Sequence, residues 1–357
     1  MFGIEPTDIF THVNQISPEW LTELLYSKGY LTQGHVIELF GTQKESITAF
    51  VGQITVEYSE DASPNAPRKL FLKTGHSKEP ENDDWEGEVF FYNHISQDCS
   101  SVAIPCYHAA YARNPARFHI LLEDLTTSHI EIPWPFLPTS EQYSQIVRCL
   151  AALHAPWWNN PRLGVEVKPR FTETTFETWF PTWVEQLEYY FNFLGDRLLP
   201  RRKKLYEWAL PRLLTRIEQR RQNKQNLTIV HQDTHPYNFL FPKDKMTWTT
   251  RLVDWATWDV EFGVRDLAYL IALHSFPEQR VLIEKPLLHQ YYDCLQSGGV
   301  SNYRWDQLWE DYRLFVAWNI LIPIEQCYWK VPAYVWWFHA ERSILAFDEL
   351  NCIELLD

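Results

Sequence analysis

The chain has 357 residues, of which 45% are hydrophobic and 16% aromatic, so it can bury a large core and exceeds the usual size of one compact domain. Its 46 acidic and 32 basic residues give a formal charge of −14, which disfavours non-specific binding to nucleic acids or anionic membranes, because such binding relies on Lys and Arg. We therefore expect neither a nucleic-acid partner nor a membrane partner.

The six cysteines indicate neither a metal site nor a disulfide framework. None forms a CxxC pair, and none stands with histidine at zinc spacing. The start, MFGIEPTDIF, lacks the basic and apolar regions of a signal peptide, and no uncharged apolar run reaches the ~18–20 residues that cross a bilayer. We expect reduced thiols in a soluble, cytoplasmic protein.

The first 125 residues have the pattern of a small β-rich lobe. Helical spacing predicts a helix over 17–31 and an amphipathic helix with an acidic first turn over 81–99. Strands are predicted where apolar residues alternate or cluster, at 35–40, 47–58, 69–74 and 118–125. A loop over 41–46 would join the first two strands. These elements predict a mixed, mainly antiparallel sheet with one inserted helix.

From residue 126 onward the pattern is mainly helical. The clearest predicted helices cover 140–158, 176–194 and 203–222. Only 228–254 is strand-like, and about the last 90 residues are again helical and rich in Trp and Tyr. The sequence therefore predicts an α+β protein with two lobes, an N-terminal one at 1–125 and a C-terminal one at 126–357.

The segment IVHQDTHPYNFLF (229–241) places polar groups between two strand-like blocks. His231, Asp233 and Asn238 form the pattern H-x-D-x-x-x-x-N, and Asp254 of RLVDW follows 16 positions (254 − 238) later. Mg²⁺ prefers hard oxygen ligands and takes few from protein, which leaves positions for phosphate and water. Phosphoryl transfer requires one carboxylate that orients a hydroxyl nucleophile, together with a second carboxylate and an amide that hold the metal.

HQDTHPYN, VDW and FGVRDLAYL together resemble the aminoglycoside phosphotransferase and choline kinase superfamily. EVFFY, LLEDL and AERSILAFDEL look most like its ecdysteroid-kinase-like branch. The resemblance implies a protein-kinase-like two-lobe fold, with a small N-terminal antiparallel β-sheet lobe for the nucleotide and a larger, mainly α-helical C-terminal lobe for catalysis and the acceptor. It also implies a small-molecule kinase that transfers the γ-phosphoryl group of ATP to an alcohol, with Mg²⁺.

The resemblance assigns roles in the catalytic loop. Asp233 would be the catalytic base, and Asn238 and Asp254 would ligate the metal. His231 would be a buried residue that supports the loop, and Asp266 of RDLAYL would anchor that loop from the start of a helix.

In the N-terminal lobe the same resemblance implies a nucleotide site. Lys73 would contact the α- and β-phosphates, and Glu88 would orient it, with Glu81 as the fallback. Backbone groups of 123–125 would read the adenine edge, and Leu122 would close the back of the pocket. The residues expected to bind the nucleotide are Gly41, Thr42, Ser46, Lys73, Leu122, Glu123 and Leu125.

Two positions depart from the family pattern. The phosphate-covering loop has one glycine, Gly41, which we place at its tip, so Thr42 to Ser46 would have to contact phosphate through backbone amides and hydroxyls. Gln232 stands where the family has Gly, and its side chain is expected to point away from the metal.

Simpler interpretations exist for single residues. Taken alone, an HxD pattern favours a structural turn with Asp capping a helix. Lys73 alone is more often a solvated strand end, and Glu88 alone is usually an exposed helix residue. His154 is expected to pack in the core, and His235 to order the loop or neighbour a ligand. Only the ordered set of motifs favours catalysis.

Other functions and roles stay open. A protein kinase is disfavoured because D-F-G and A-P-E are absent, whereas an aminoglycoside-type antibiotic phosphotransferase and a non-catalytic nucleotide-binding scaffold remain as alternatives. One hypothesis places Trp329, Trp336 or Trp337 in the wall of an acceptor pocket, whereas packing is the favoured role of this aromatic cluster.

Overall fold

A computed structural model describes residues 9–46, 49–75, 83–170, 175–244 and 249–357 of the protein. The chain forms two compact units, Met1–Ile130 with Leu240–Thr257 and Glu131–Phe239 with Trp258–Asp357. The first contains a five-stranded antiparallel sheet and the second is mainly helical, which confirms the predicted two-lobe α+β fold.

The elements are numbered in chain order. The strands are β1 (Val36–Glu45), β2 (Ala49–Tyr58), β3 (Lys69–Gly75), β4 (Cys106–Arg113), β5 (Ala116–Glu123), β6 (His129–Ile130), β7 (Leu227–Val230), β8 (Phe239–Pro242), β9 (Arg251–Leu252) and β10 (Asp259–Phe262). The helices are α1 (Pro18–Ser27), α2 (Asp83–His94), α3 (Ser140–Trp157), α4 (Phe176–Leu194), α5 (Pro200–Gln222), α6 (Val264–Ala268), α7 (Pro277–Ser297), α8 (Trp305–Trp318), α9 (Ile322–Tyr328) and α10 (Ala333–Glu349).

The sheet of the first unit has the order β1-β2-β3-β5-β4, and every neighbouring pair is antiparallel. The prediction of a mixed sheet was therefore wrong in that detail. Strand β4 was not predicted, because its sequence CYHAAYAR contains Ala and lacks a clear alternation of buried and exposed positions. Strand β3 lies between β2 and β5, so the backbone of Lys73 has a paired strand on each side.

Helix α1 begins where the sequence places it. The Ser17 hydroxyl accepts a hydrogen bond from the Trp20 amide at 3.1 Å, and Pro18 fits the first turn because its missing N–H needs no partner there. The helix buries Leu21, Leu24 and Leu25 in a cluster with side chains of the sheet, which holds it against that sheet.

Helix α2 is shorter than the predicted span 81–99. It ends at His94, and only a 3-10 turn over Ser96–Cys99 continues it. The fallback residue Glu81 lies outside the described residues.

The segment 240–257 belongs to the first unit, although the sequence analysis places it in the C-terminal lobe. The Leu252 amide donates to the Val102 carbonyl at 3.1 Å, and the Trp255 ring stacks on Phe91 with ring centres 3.7 Å apart. These contacts join residues far apart in sequence, so a pattern analysis along the chain could not assign the segment.

The second unit consists mainly of helices α3–α10. Helix α3 starts with a capping box between Thr139 and Gln142, and α4 has the predicted bounds, Phe176–Leu194. A π-helical turn over Tyr269–Leu273 follows α6, and β7 pairs antiparallel with β10. Among the described helices, none has both the length and the apolar character that crossing a membrane requires.

Candidate functional site

Lys73, Glu88 and Asp254 meet in the first unit. The Lys73 ammonium lies 2.9 and 2.7 Å from the two Glu88 carboxylate oxygens and 2.7 Å from Asp254 Oδ1. Strand β3 presents the lysine and α2 presents the glutamate. Glu88 is 2% exposed and shares a buried helix face with Tyr92, as the helical spacing predicts.

Asp254 is the accessible member of this cluster. Its side chain is 39% exposed, against 15% for Lys73 and 3% for Glu88. Its backbone φ of 65° lies in the left-handed region, which Asp tolerates better than most residues. A carboxylate held by Lys73 on one oxygen, and open to solvent, is chemically suited to a hard cation.

The electrostatics keep Lys73 charged. Burial alone would lower the pKa of its ammonium, but the negative charges of Glu88 and Asp254 outweigh burial and raise the pKa above its ordinary value. A permanently positive group at this position is suited to binding phosphate oxygens.

The β1–β2 hairpin differs from the predicted loop over 41–46. Gly41 pairs with Ile54 and Thr42 with Gln53 inside the ladder, and the Ser46 amide donates to the Ala49 carbonyl at 2.8 Å, so the turn lies beyond Gly41. The placement of Gly41 at the tip was therefore wrong.

Glycine at position 41 is explained by packing. A Cβ there would lie 2.9 Å from Val13 Cγ2, closer than real Cβ contacts. The same valine covers Gly52, where a Cβ would overlap Val13 Cγ1. Any contact of Gly41, Thr42 or Ser46 with phosphate stays a prediction.

The predicted adenine-reading segment follows β5. Leu122 is 6% exposed, and the Glu123 amide already donates to the Pro105 carbonyl at 3.0 Å. Within the part of the chain that the structure describes, the Leu125 amide donates to no other group. Leu125 is therefore the better candidate donor for a base edge.

In the second unit, Asp266 anchors the loop that follows β7. Its carboxylate accepts from the amides of His231 at 2.8 Å and Gln232 at 2.9 Å, and its carbonyl accepts from the Thr234 hydroxyl at 2.7 Å. His154 contributes a fourth contact, with Nε2 at 3.3 Å. The predicted anchoring role of Asp266 is confirmed.

The loop network is buried. Asp266, His231 and His154 are each 0% exposed. Burial alone would raise the pKa of Asp266, but hydrogen bonds and charges from His154 and His231 outweigh burial and lower it, so the acceptor is charged. His154 also contacts the Tyr291 hydroxyl at 2.7 Å, so besides the packing expected for it, it has a hydrogen-bonding role that was not predicted.

Asp233 has a defined set of partners. The Tyr269 hydroxyl donates to Oδ1 at 2.9 Å. The Asn238 amide group donates to the Asp233 carbonyl at 2.9 Å and lies 3.4 Å from Oδ2. His235 Nε2 lies 3.5 Å from Oδ2. The Tyr269 hydroxyl therefore fixes Oδ1 of the carboxylate. Because the NH₂ group of Asn238 makes these contacts, the side-chain oxygen of Asn238 is directed away from Asp233.

Gln232 occupies the strained position of this loop. Its φ of 68° lies in the left-handed region that favours glycine, and its buried Nε2 has no hydrogen-bond partner among the described residues. The positive φ explains why the family has Gly at this position. The prediction for Gln232 considered only the direction of its side chain and not this backbone requirement.

Sequence patterns did not identify Tyr269, whose hydroxyl binds Asp233, or His274, whose ring centre lies 5.2 Å from that of Tyr269. They also did not identify His339 and Arg342, which contact His274 and Leu273. Tyr269 directly follows the D-L-A motif, so its position beside a predicted site residue could be recognised in the sequence. The π-helical turn that directs its hydroxyl could not be predicted from periodicity.

The C-terminal tryptophans have different surroundings. Trp336 is 1% exposed, packs against Tyr190 and Phe193, and donates to the Val331 carbonyl, so it is a packing residue. Trp329 and Trp337 are exposed, and their role at an acceptor stays a prediction.

A family model described as the phosphotransferase enzyme family matches residues 99–304, which is more than half of the chain. The chain belongs to the phosphotransferase enzyme family. This confirms the superfamily inferred from the HQDTHPYN, VDW and DLA segments, whereas the ecdysteroid-kinase-like branch stays a prediction.

Solved structures with the same fold include small-molecule kinases. A microcompartment-associated aminopropanol kinase is 10% identical, with a TM-score of 0.57, and the match covers 87% of this chain and 91% of that one. A choline kinase from Cryptosporidium parvum is 11% identical, with a TM-score of 0.53 and 88% of each chain covered. Choline kinase LicA from Streptococcus pneumoniae is 12% identical, with a TM-score of 0.50 and coverages of 93% and 98%. At these identities the likeness shows the fold alone. No curated protein sequence matches this phosphotransferase.

Proposed function

We propose that this phosphotransferase transfers the γ-phosphoryl group of ATP to a hydroxyl group of a small molecule, with Mg²⁺. The observation that carries the proposal is the Lys73–Glu88–Asp254 cluster, whose three members come from separate motifs predicted to act on one nucleotide. A lysine held by a buried glutamate is the arrangement that protein kinases use at the α- and β-phosphates.

In this proposal Lys73 binds phosphate oxygens and Glu88 holds its ammonium in place. Asp254 and Asn238 supply oxygen atoms for Mg²⁺, and the exposed Asp254 carboxylate fits that role because hard cations prefer oxygen ligands. Mg²⁺, when bound, neutralises charge on the β- and γ-phosphates. Gly41, Thr42, Ser46, Leu122, Glu123 and Leu125 are proposed to line the nucleotide site.

Asp233 is proposed as the base that accepts the proton of the acceptor hydroxyl. The Tyr269 hydroxyl occupies Oδ1, so the acceptor hydroxyl is proposed to approach Oδ2, which has only the two longer contacts, with Asn238 at 3.4 Å and His235 at 3.5 Å. Catalysis would come mainly from positioning and charge neutralisation, because the metaphosphate-like transition state needs little covalent assistance.

The proposal is tested by measuring ADP release from Mg-ATP across panels of alcohols and aminoglycosides, together with Mg-dependent ATP binding. We expect Asp233→Asn to lose about 10²-fold or more in turnover with nearly unchanged ATP binding, because a general base contributes on this scale. Asp254→Asn should instead weaken Mg-ATP binding. The exposed Asp293→Asn serves as the matched control.

Equal turnover by wild type and Asp233→Asn would refute the assignment of the base. ATP binding without turnover on every acceptor would favour the alternative function, a nucleotide-binding scaffold.

A further inference from the structure

Arg342 on α10 is a half-buried cation that has no counter-ion among the described residues. Its Nη1 donates to the Leu273 carbonyl at 3.0 Å, and its guanidinium carbon lies 5.3 Å from the centre of the Phe276 ring and 5.8 Å from that of Phe338. Within the described ranges of the chain, no carboxylate lies within 4.0 Å of it. The preceding residue, Glu341, pairs with Arg202 instead.

The absence of an ionic partner is energetically unfavourable for the charged Arg342 side chain when no ligand is bound. Burial lowers the pKa of the Arg342 guanidinium, which means that the surroundings disfavour its charge. The two aromatic rings and one carbonyl use only part of a guanidinium that has five N–H donors. The remaining donors are suited to a bidentate contact with a carboxylate or similar oxyanion.

A row of three histidines connects Arg342 with Asp233. The ring centres of His235 and His274 are 6.0 Å apart, and those of His274 and His339 are 4.7 Å apart. His235 contacts Asp233, and His274 follows Leu273, whose carbonyl binds Arg342. The unpaired cation is therefore connected to the proposed base through adjacent side chains of one unit.

Two atoms of the row are also unpartnered. His235 Nδ1 and His274 Nε2 are buried, and neither has a hydrogen-bond partner among the described residues. Buried ring nitrogens without partners are rare, so the row has unused hydrogen-bonding capacity beside Asp233. Since no group of described His, Cys, Asp or Glu residues is arranged to hold a metal ion, we do not interpret the row as a metal site.

His274 and His339 add no charge to this region. Burial, with the nearby positive groups, lowers the pKa of His274 well below its ordinary value and that of His339 to about 4, so both rings are neutral at pH 7. Burial raises the pKa of the neighbouring acid Glu325, and the positive charge of Arg265 opposes that effect. Beside these rings, Arg342 is a cation with no carboxylate within 4.0 Å among the described residues.

We propose that Arg342 binds an anionic oxygen group of the acceptor, so that the acceptor is an alcohol carrying a carboxylate or similar anion and not a cationic amino alcohol or aminoglycoside. The assignment to an acceptor rests on the proposed function, whereas binding of an anion at Arg342 does not.

Anion binding is tested with sodium acetate as the probe and chloride at equal ionic strength as the reference. Acetate should raise the thermal midpoint of the wild-type protein in a saturable manner, and Arg342→Met should lose most of this increase. The control is Arg212→Met, because Arg212 also stacks on an aromatic ring, Trp208, and donates to a carbonyl, but is exposed on α5. An equal response of all three proteins would overturn the anion site.

The acceptor class is tested with glucosamine, glucose and glucuronate, which share a hexose ring and differ in charge, as acceptors in the ADP-release assay. We expect the anionic member to have the highest kcat/KM, and Arg342→Met to lower it about tenfold or more through KM, since charge-assisted hydrogen bonds contribute on this scale. The KM for ATP should not change.

Preference for glucosamine or glucose would overturn the acceptor class, and a raised KM for ATP would assign Arg342 to nucleotide phosphate instead. A preserved acetate response with no turnover of any acceptor would retain the anion site, count against the proposed function and overturn the assignment to an acceptor.

Discussion

The Tyr269 hydroxyl is the contact that fixes Asp233. Burial and the negative charge of Asp233 raise the pKa of Tyr269 well above its ordinary value, so it stays protonated and donates at any pH near neutrality. A single donor at 2.9 Å on Oδ1 restricts rotation of the carboxylate. Tyr269 is therefore a positioning residue for the proposed base.

Tyr269→Phe should lower kcat about tenfold while the KM for ATP changes less than about twofold, because hydrogen bonds to charged groups contribute on this scale and the hydroxyl does not contact a nucleotide-binding residue. Steady-state kinetics and chemical denaturation measure both effects. Tyr312→Phe is the control, because it removes a buried hydroxyl bound to Glu284 at 2.7 Å away from Asp233. Unchanged kcat in Tyr269→Phe would contradict the positioning role.

Gln232 combines a left-handed backbone with a buried amide group that lacks a partner. Gln232→Gly should raise the free energy of unfolding by ~1 kcal/mol, because glycine adopts positive φ without the steric cost that other residues have. Urea denaturation measures the change. Gln232→Ala keeps the backbone cost and removes the amide, so an equal gain in that variant would attribute the effect to the amide and not to the backbone.

At the scale of elements, the 3-10 turn over Val13–Gln15 packs on the β1–β2 hairpin through Val13. Gly52→Ala should destabilise the protein by ~1–3 kcal/mol, since the added methyl group overlaps Val13 and a packed interface has little room to adjust. In the Val13→Ala background the same change should cost clearly less, because only the 3.2 Å approach to the Thr42 carbonyl oxygen remains. Equal losses in both backgrounds, measured by thermal denaturation, would show that Val13 is not the cause.

The β1–β2 hairpin and the HxDx₄N loop differ in how far they depend on distant contacts. The predicted loop over 41–46 became strand because β2 pairs with Lys44 and Glu45 and extends the ladder. The HxDx₄N loop, by contrast, was located from its own residues. What holds it is Asp266, which lies 35 positions from His231 and was implied only by the D-L-A motif.

At the scale of the whole molecule, buried histidines make stability depend on pH. Burial lowers the pKa of His119 to about 3 and that of His339 to about 4, and lowers that of His274 well below its ordinary value. Unfolded histidine has a pKa of about 6.5, so the unfolded chain binds these protons first as the pH falls. Stability present above pH ~6.5 is therefore lost as the pH falls toward ~4.

His339→Gln should reduce this loss between pH 7 and pH 5 by ~1–2 kcal/mol, because one titrating group is removed while a polar side chain remains beside Gln326. The free energy of unfolding, measured by urea denaturation at the two pH values, gives the difference. A loss as large as that of the wild type would exclude His339 as a contributor.

The sequence by itself determined the α+β class, most helices, the phosphotransferase family and the order of its motifs, because helix periods, strand alternation and loop motifs are local properties of the chain. Tertiary structure alone decided which distant groups meet. Lys73 and Asp254 are 181 positions apart, and their contact depends on how the 240–257 segment packs. The strain at Gln232 and the donor role of Tyr269 likewise follow from backbone conformation and three-dimensional neighbours, which no spacing along the chain encodes. The same holds for Arg342, which has no counter-ion in the described part of the chain.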